Sequence, residues 1–144
     1  MPMQADCRAW LTSRPGVSCS ETPTGPIFDV PSDGLLAIAE DLDADGYVLS
    51  SLTAVDRIER IDVIAHFVGD PMQVIALRIH VAPGGALPSL SPIWPGADWQ
   101  ERETAEMFGV VFEGHPDPRR LLLTDDFVGH PLLKSFLLDE EASS

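Results

Sequence analysis

"IDVIAHFVGDPMQVIALRIHV", residues 61–81, contains two runs rich in β-branched and apolar residues, 61–68 and 72–81, parted by Gly69-Asp70-Pro71. Runs of this kind form strands whose side chains alternate between two faces, and Gly, Asp and Pro supply the chemistry of a tight turn. A β-hairpin is therefore expected. A turn centred on Asp70 sets Asp62 opposite Arg78, a favourable cross-strand charge pair. Ile75, Leu77, Ile79 and Val81 then share one face, which must be covered.

The flanking segments supply the cover. Upstream, "YVLSSLTAVD" (47–56) reads as a further strand and "IFDV" (27–30) as a short one. Between them Leu35, Leu36, Ile38, Ala39 and Leu42 recur at helical spacing behind Ser32 and Asp33, which offer capping oxygens, so a helix is expected over 33–43. Residues 6–12 form a short helix around Trp10, and the Pro/Gly/Ser/Thr-rich stretch to Pro26 reads as loop. Downstream, a proline- and glycine-rich crossing (82–96) leads to a helix with Asp98 as cap and Glu101 as its reciprocal partner. It continues from Trp99 to Phe108 and stops at Gly109. Thr104, Ala105 and Phe108 make its apolar edge, while Glu101, Glu103 and Glu106 crowd around Arg102. Beyond 112 the prolines at 116, 118 and 131 leave no regular period.

This order implies an α+β fold: a mixed β-sheet with helices packed on one face, plus an irregular proline-rich C-terminal arm. The 144 residues suit one core, with an α+β domain at 1–111 and an extended docking arm at 112–144. Nine basic against 23 acidic residues give a net charge of -14, which repels nucleic acid and anionic membrane surfaces. Cys7 and Cys19 read as a reduced pair near the N-terminus. No run approaches the ~18 apolar residues of a membrane helix, so a cytoplasmic protein without direct membrane insertion is expected.

The arm repeats Gly-His-Pro, at 114–116 and 129–131. His115 and His130 with Asp117, Asp125 or Asp126 could form a two-histidine, one-carboxylate metal site. No compact ligand pair supports that reading, and each histidine, set between Gly and Pro, suits a turn whose ring bonds a backbone carbonyl. Acid–base work by Glu101, Glu103 or Glu106 would need burial to raise a carboxylate pKa. A solvated acidic helix face is the simpler expectation. His66 and His80 lie within strands, as core or edge residues. There is no glycine-rich nucleotide fingerprint, no phosphate loop and no four-cysteine set, so no cofactor is expected in this chain.

Two stretches, "SSLTAVD" (50–56) and "WPGADWQERETAEMFGVVFEGHPDPRRLLLTDDFVGHPLLKSF" (94–136), together resemble the 30-kilodalton-subunit family of proton-pumping NADH:quinone oxidoreductase, respiratory complex I. The most specific positions are Glu101-Arg102-Glu103, Met107-Phe108-Gly109, Phe112 to Pro116, Arg119-Arg120, Asp125-Asp126 and Gly129 to Leu132. Departures from the family pattern fall at Ala105, Glu106, Pro118, Leu133 and Ser135. The resemblance implies a non-catalytic structural subunit of the peripheral arm on the cytoplasmic side of the membrane. Such a subunit holds no redox centre, lies against the D-type, quinone-pocket subunit and neighbours an iron–sulfur subunit. The residues it implies for docking are Glu101, Arg102, Glu103, Phe108, Gly109, His115, Pro116, Arg119, Arg120, His130, Pro131 and Lys134. Alternatives are the equivalent subunit of an energy-converting hydrogenase or formate hydrogenlyase, a stand-alone metal-dependent enzyme using His115 and His130, and a free adaptor.

Overall fold

A computed structural model describes residues 7–69, 73–115, 130, 132 and 133, with Cys7 by its backbone alone. Helix α1 (Cys7–Thr12) is followed by strands β1 (Ser18–Thr22) and β2 (Gly25–Asp29), a 3₁₀ turn (Ser32–Gly34) and α2 (Leu35–Ala44). Then come β3 (Val48–Asp56), β4 (Ile61–Gly69), β5 (Gln73–Val81), β6 (Ala86–Pro88), α3 (Ala97–Phe108) and β7 (Val111–Glu113). The main sheet runs β1-β2-β5-β4-β3, antiparallel except where β2 meets β5, and β6 pairs with β7 in a separate parallel ribbon. The mixed sheet and the α+β class agree with the sequence reading. Among the described residues no helix is long and apolar enough to cross a membrane.

The strands bury one face. Ile61, Val63, Ala65 and Phe67 of β4 and Ile75, Leu77, Ile79 and Val81 of β5 join Leu35, Ile38, Ala39 and Leu42 of α2 in a single core. The crossing after β5 is tied to this core rather than slack. Trp94 donates its indole N–H to the Tyr47 carbonyl at 3.1 Å and tilts over Phe67 with ring centroids 5.2 Å apart.

Four local expectations are corrected. The stretch before Pro26 is not all loop: Ser18–Thr22 is an edge strand whose polar alternation carries no hydrophobic signal. Neither Ser32 nor Asp33 caps α2, because the 3₁₀ turn feeds directly into it and Gly34 occupies the cap position. Asp98 is likewise inside α3 rather than capping it; Gly96 is the cap, and Asp98 instead places negative charge in the first turn. In the β4–β5 hairpin Asp62 faces His80 and Arg78 faces Ile64, so the predicted Asp62–Arg78 pair is replaced by a diagonal. Arg78 has a better partner in the neighbouring strand, since its Nε and Nη2 donate to Asp29 Oδ1 and Oδ2 at 2.6 and 2.9 Å.

Gly69 ends β4 under the ring of Tyr47, where an added Cβ would stand 2.6 Å from Tyr47 Cε1. Tyr47 is fully buried and donates its hydroxyl to Gln73 Oε1 at 2.9 Å, which restricts any sideways movement of the ring. Gly69→Ala is expected to cost about 1–3 kcal/mol by overpacking. That corresponds to a fall of roughly 3–10 °C in Tm for a domain of this size. A melt indistinguishable from wild type would show that the ring yields freely.

Candidate functional site

Helix α3 carries the densest polar chemistry, and its burial pattern explains why. Ala97, Glu101 and Thr104 lie on its inward face. Glu101, expected on a solvated face, is completely buried. Its Oε1 accepts from the Ser89 hydroxyl and its Oε2 from the Leu90 N–H, each at 2.6 Å, so this carboxylate fastens α3 to the crossing that follows β6. Burial pushes the Glu101 pKa up and Asp98 adds to the rise, against the opposing pull of Ser89, Leu90 and His115. Glu106 is also buried, while Glu103 is exposed and Arg102 half-buried.

Both Gly-His-Pro histidines close on α3, at opposite ends. The His115 side chain is 3% exposed and its Nε2 lies 2.9 Å from Asp98 Oδ1, 3.3 Å from the Asp98 carbonyl and 3.8 Å from Glu101 Oε1. All three atoms are acceptors, so Nε2 carries the proton. At the other end His130 Nδ1 donates to the Glu106 carbonyl at 2.8 Å and Leu132 N–H donates to the Met107 carbonyl at 3.0 Å. Gly109 adds the turn that ends the helix, with a φ of 78° and its N–H on the Ala105 carbonyl at 2.9 Å. The His130 ring lies against Gly109 so closely that a Cβ there would stand 2.8 Å from Cδ2. His130 and Leu132 together therefore satisfy carbonyls that the helix end leaves open.

A cleft of about 320 Å³ opens beside this helix, lined by Ala105, Val110, Val111 and Phe112 and by Glu101, Arg102, His115 and His130. Strand β7, where the chain was expected to turn irregular, supplies Phe112 as a buried residue of its wall. Phe108 is half-buried at the C-terminal end of α3. Pro116, Arg119, Arg120, Pro131 and Lys134 lie outside the described residues, as do Asp117, Asp125 and Asp126. Among the described residues no group of three or more His, Cys, Asp or Glu side chains is arranged to hold a metal ion.

Sequence reasoning missed a second polar network on the opposite sheet face. His80 stands between two carboxylates, with Nδ1 at 2.6 Å from Asp62 Oδ1 and Nε2 at 3.2 Å from Asp29 Oδ1. Arg57 and Arg60 converge on the same buried Asp62 at 3.3 and 3.0 Å. The signal was present as charged residues at alternate positions, 62 on one strand and 78 and 80 on the other, but their partners come from β2 and the β3–β4 turn.

Hydrogen bonding to Arg78 holds the Asp29 carboxyl below the usual range. For Asp62 burial pushes upward, and His80, Arg60 and Arg57 together outweigh it, so this pKa is also lowered. A lowered folded pKa contributes stability that is present above the unfolded value of about 3.9 and is lost as pH falls through the folded one. The Tm gap between wild type and Asp29→Asn should therefore be constant above about pH 5 and narrow below about pH 4. A gap unchanged down to pH 2 would contradict the ion-pair assignment.

The comparisons with known proteins agree with one another. The family model described as the 30 Kd subunit of respiratory-chain NADH dehydrogenase matches residues 28–142. The C subunit of NADH-quinone oxidoreductase from Moorella thermoacetica is 41% identical over 133 residues, covering 88% of this chain and 90% of that protein. The protein of the same name from Rhizobium rhizogenes is 42% identical over 129 residues, covering 83% of this chain and 64% of that protein. For the one from Rhodopseudomonas palustris the figures are 45% over 91 residues, 60% and 46%. The chain thus spans most of the Moorella relative and between about half and two thirds of the other two.

Proposed function

The chain belongs to the family of the 30 Kd subunit of respiratory-chain NADH dehydrogenase, and from that premise we propose that it is a non-catalytic structural subunit of an NADH-quinone oxidoreductase, docking on the D-type subunit during electron transfer to quinone. The observation that carries this reading is the pinning of both Gly-His-Pro histidines to the two ends of α3. It spends the two residues best suited to chemistry on fixing both ends of the stretch between them. Fixing both ends lowers the entropy that the intervening residues lose on binding a partner. Arg102 and Phe108, half-buried, and Glu103, exposed, belong to the same helix.

In this reading the subunit sits at the cytoplasmic membrane surface as part of a proton-translocating assembly, next to the D-type subunit and an iron–sulfur subunit. The equivalent place in an energy-converting hydrogenase or formate hydrogenlyase would use the same docking geometry. The test is affinity purification of the tagged full chain from its own host, followed by native electrophoresis and identification of co-migrating subunits. A D-type subunit without nickel-ligand cysteines, together with NADH:quinone activity in the band, is the expected result. A D-like partner with those cysteines would move the chain to the hydrogenase assembly. A chain that migrates alone would refute the docking role.

A further inference from the structure

Strand β3 closes one side of the main sheet and has little of the usual protection of an edge. It carries nine residues, one side is paired with β4 along almost its whole length, and among the described residues no strand pairs with the other side. The outward backbone groups of such a strand are a template on which a second copy can add its own strand. Charged side chains and prolines commonly prevent this, yet from Val48 to Val55 β3 has neither. Val48 is 54% exposed, and an added strand would cover part of it. An irregularity between Leu49 and Ser51 interrupts the strand near its start and leaves the rest regular.

One side chain stands in the gap. The Leu52 N–H faces away from β4, and Gln100 Oε1 accepts it at 2.5 Å, where the carbonyl of an added strand would otherwise lie. Gln100 belongs to α3, and the next residue, Glu101, fastens that helix through Ser89 and Leu90, so the amide is held in place rather than free to swing aside. We propose that Gln100 is an edge guard, whose side-chain amide closes β3 against a second copy of this chain and keeps the free chain monomeric. The amide imitates the backbone carbonyl that it displaces, being planar and presenting an sp² oxygen as acceptor. A leucine at position 100 would cover the same N–H without accepting from it. Leu52 is buried, so the donor would then be satisfied only by another strand. The inference is independent of which partner the chain docks on.

The full chain carrying Gln100→Leu tests it, by gel filtration with light scattering and by hydrogen exchange at Leu52. Wild type is expected to elute as a monomer. Gln100→Leu should dimerise about tenfold or more tightly than wild type, because each stranded N–H regains an acceptor in the pair. Its Leu52 amide should be protected in the dimer and lose that protection on dilution. Gln100→Glu keeps an acceptor oxygen and should stay monomeric. Thr53 is an exposed residue of β3, and a charge on an edge strand opposes pairing, so adding Thr53→Lys to Gln100→Leu should restore the monomer. A Gln100→Leu chain that stays monomeric would reduce Gln100 to a local tie and overturn the proposal. So would association, soluble or precipitated, that Thr53→Lys leaves unchanged, since it would not run through β3. A wild-type chain already paired through β3 would overturn it as well.

Discussion

Reversing Arg119 and Arg120 together to glutamate is expected to abolish co-purification with the D-type partner while leaving the Tm of the isolated chain within a few degrees of wild type. The two arginines follow Pro116 and Pro118, in a stretch whose ends are set by His115 and His130. They form the densest positive charge on a chain of net charge -14, and arginine presents a rigid fork of donors that matches carboxylates. Truncating one side of a buried interfacial ion pair costs about 2–5 kcal/mol, because the other charge is stranded, and reversal adds repulsion to that cost. Two such reversals exceed the affinity that most subunit contacts can spare. Undiminished co-purification would remove these residues from the docking account. A collapse in Tm would instead make them internal ties within this chain.

What the sequence made legible follows from where each physical signal resides. The hairpin of β4 and β5, helix α2 and the Gly109 stop of α3 were readable because alternation, helical spacing and a left-handed cap are local properties. Strand β1 and the β6–β7 ribbon were not. Ser18–Thr22 is a polar edge strand, and three-residue strands that pair across 25 positions show no period of their own. The register of the hairpin failed for a related reason: Asp62 and Arg78 look like partners on two strands, but Asp29 from β2 takes Arg78. In the site, a ring bonded to a backbone carbonyl was one of two readings of each histidine, and His130 makes such a bond. The burial of Glu101 was hidden because its partners, Ser89 and Leu90, lie in a crossing with no periodic pattern.

Glu101→Ala is the substitution within the described fold from which the largest loss of stability is expected. It removes the acceptors of the Ser89 hydroxyl and the Leu90 N–H, both buried, and leaves a cavity against α3. Each stranded donor costs about 1–3 kcal/mol, so a loss of roughly 3–5 kcal/mol is expected, a large part of the total stability of a domain of this size. A loss that large leaves little margin for measurement across pH, and Glu101→Gln separates the hydrogen bonds from the charge more gently. Glutamine keeps one acceptor oxygen and turns an amide towards the other donor, at a cost of about 1–3 kcal/mol. Its pH dependence carries the sharper argument. Burial raises the Glu101 pKa, so the folded state holds this proton more tightly than the unfolded chain does. The contribution to stability is then fully present below the unfolded value of about 4.3 and is lost as pH rises through the raised one. Glutamine does not titrate, so the Tm deficit of Glu101→Gln should be largest near pH 4 and shrink as pH increases. A deficit constant with pH would show that Ser89, Leu90 and His115 offset the burial completely and that Glu101 is an ionised structural tie.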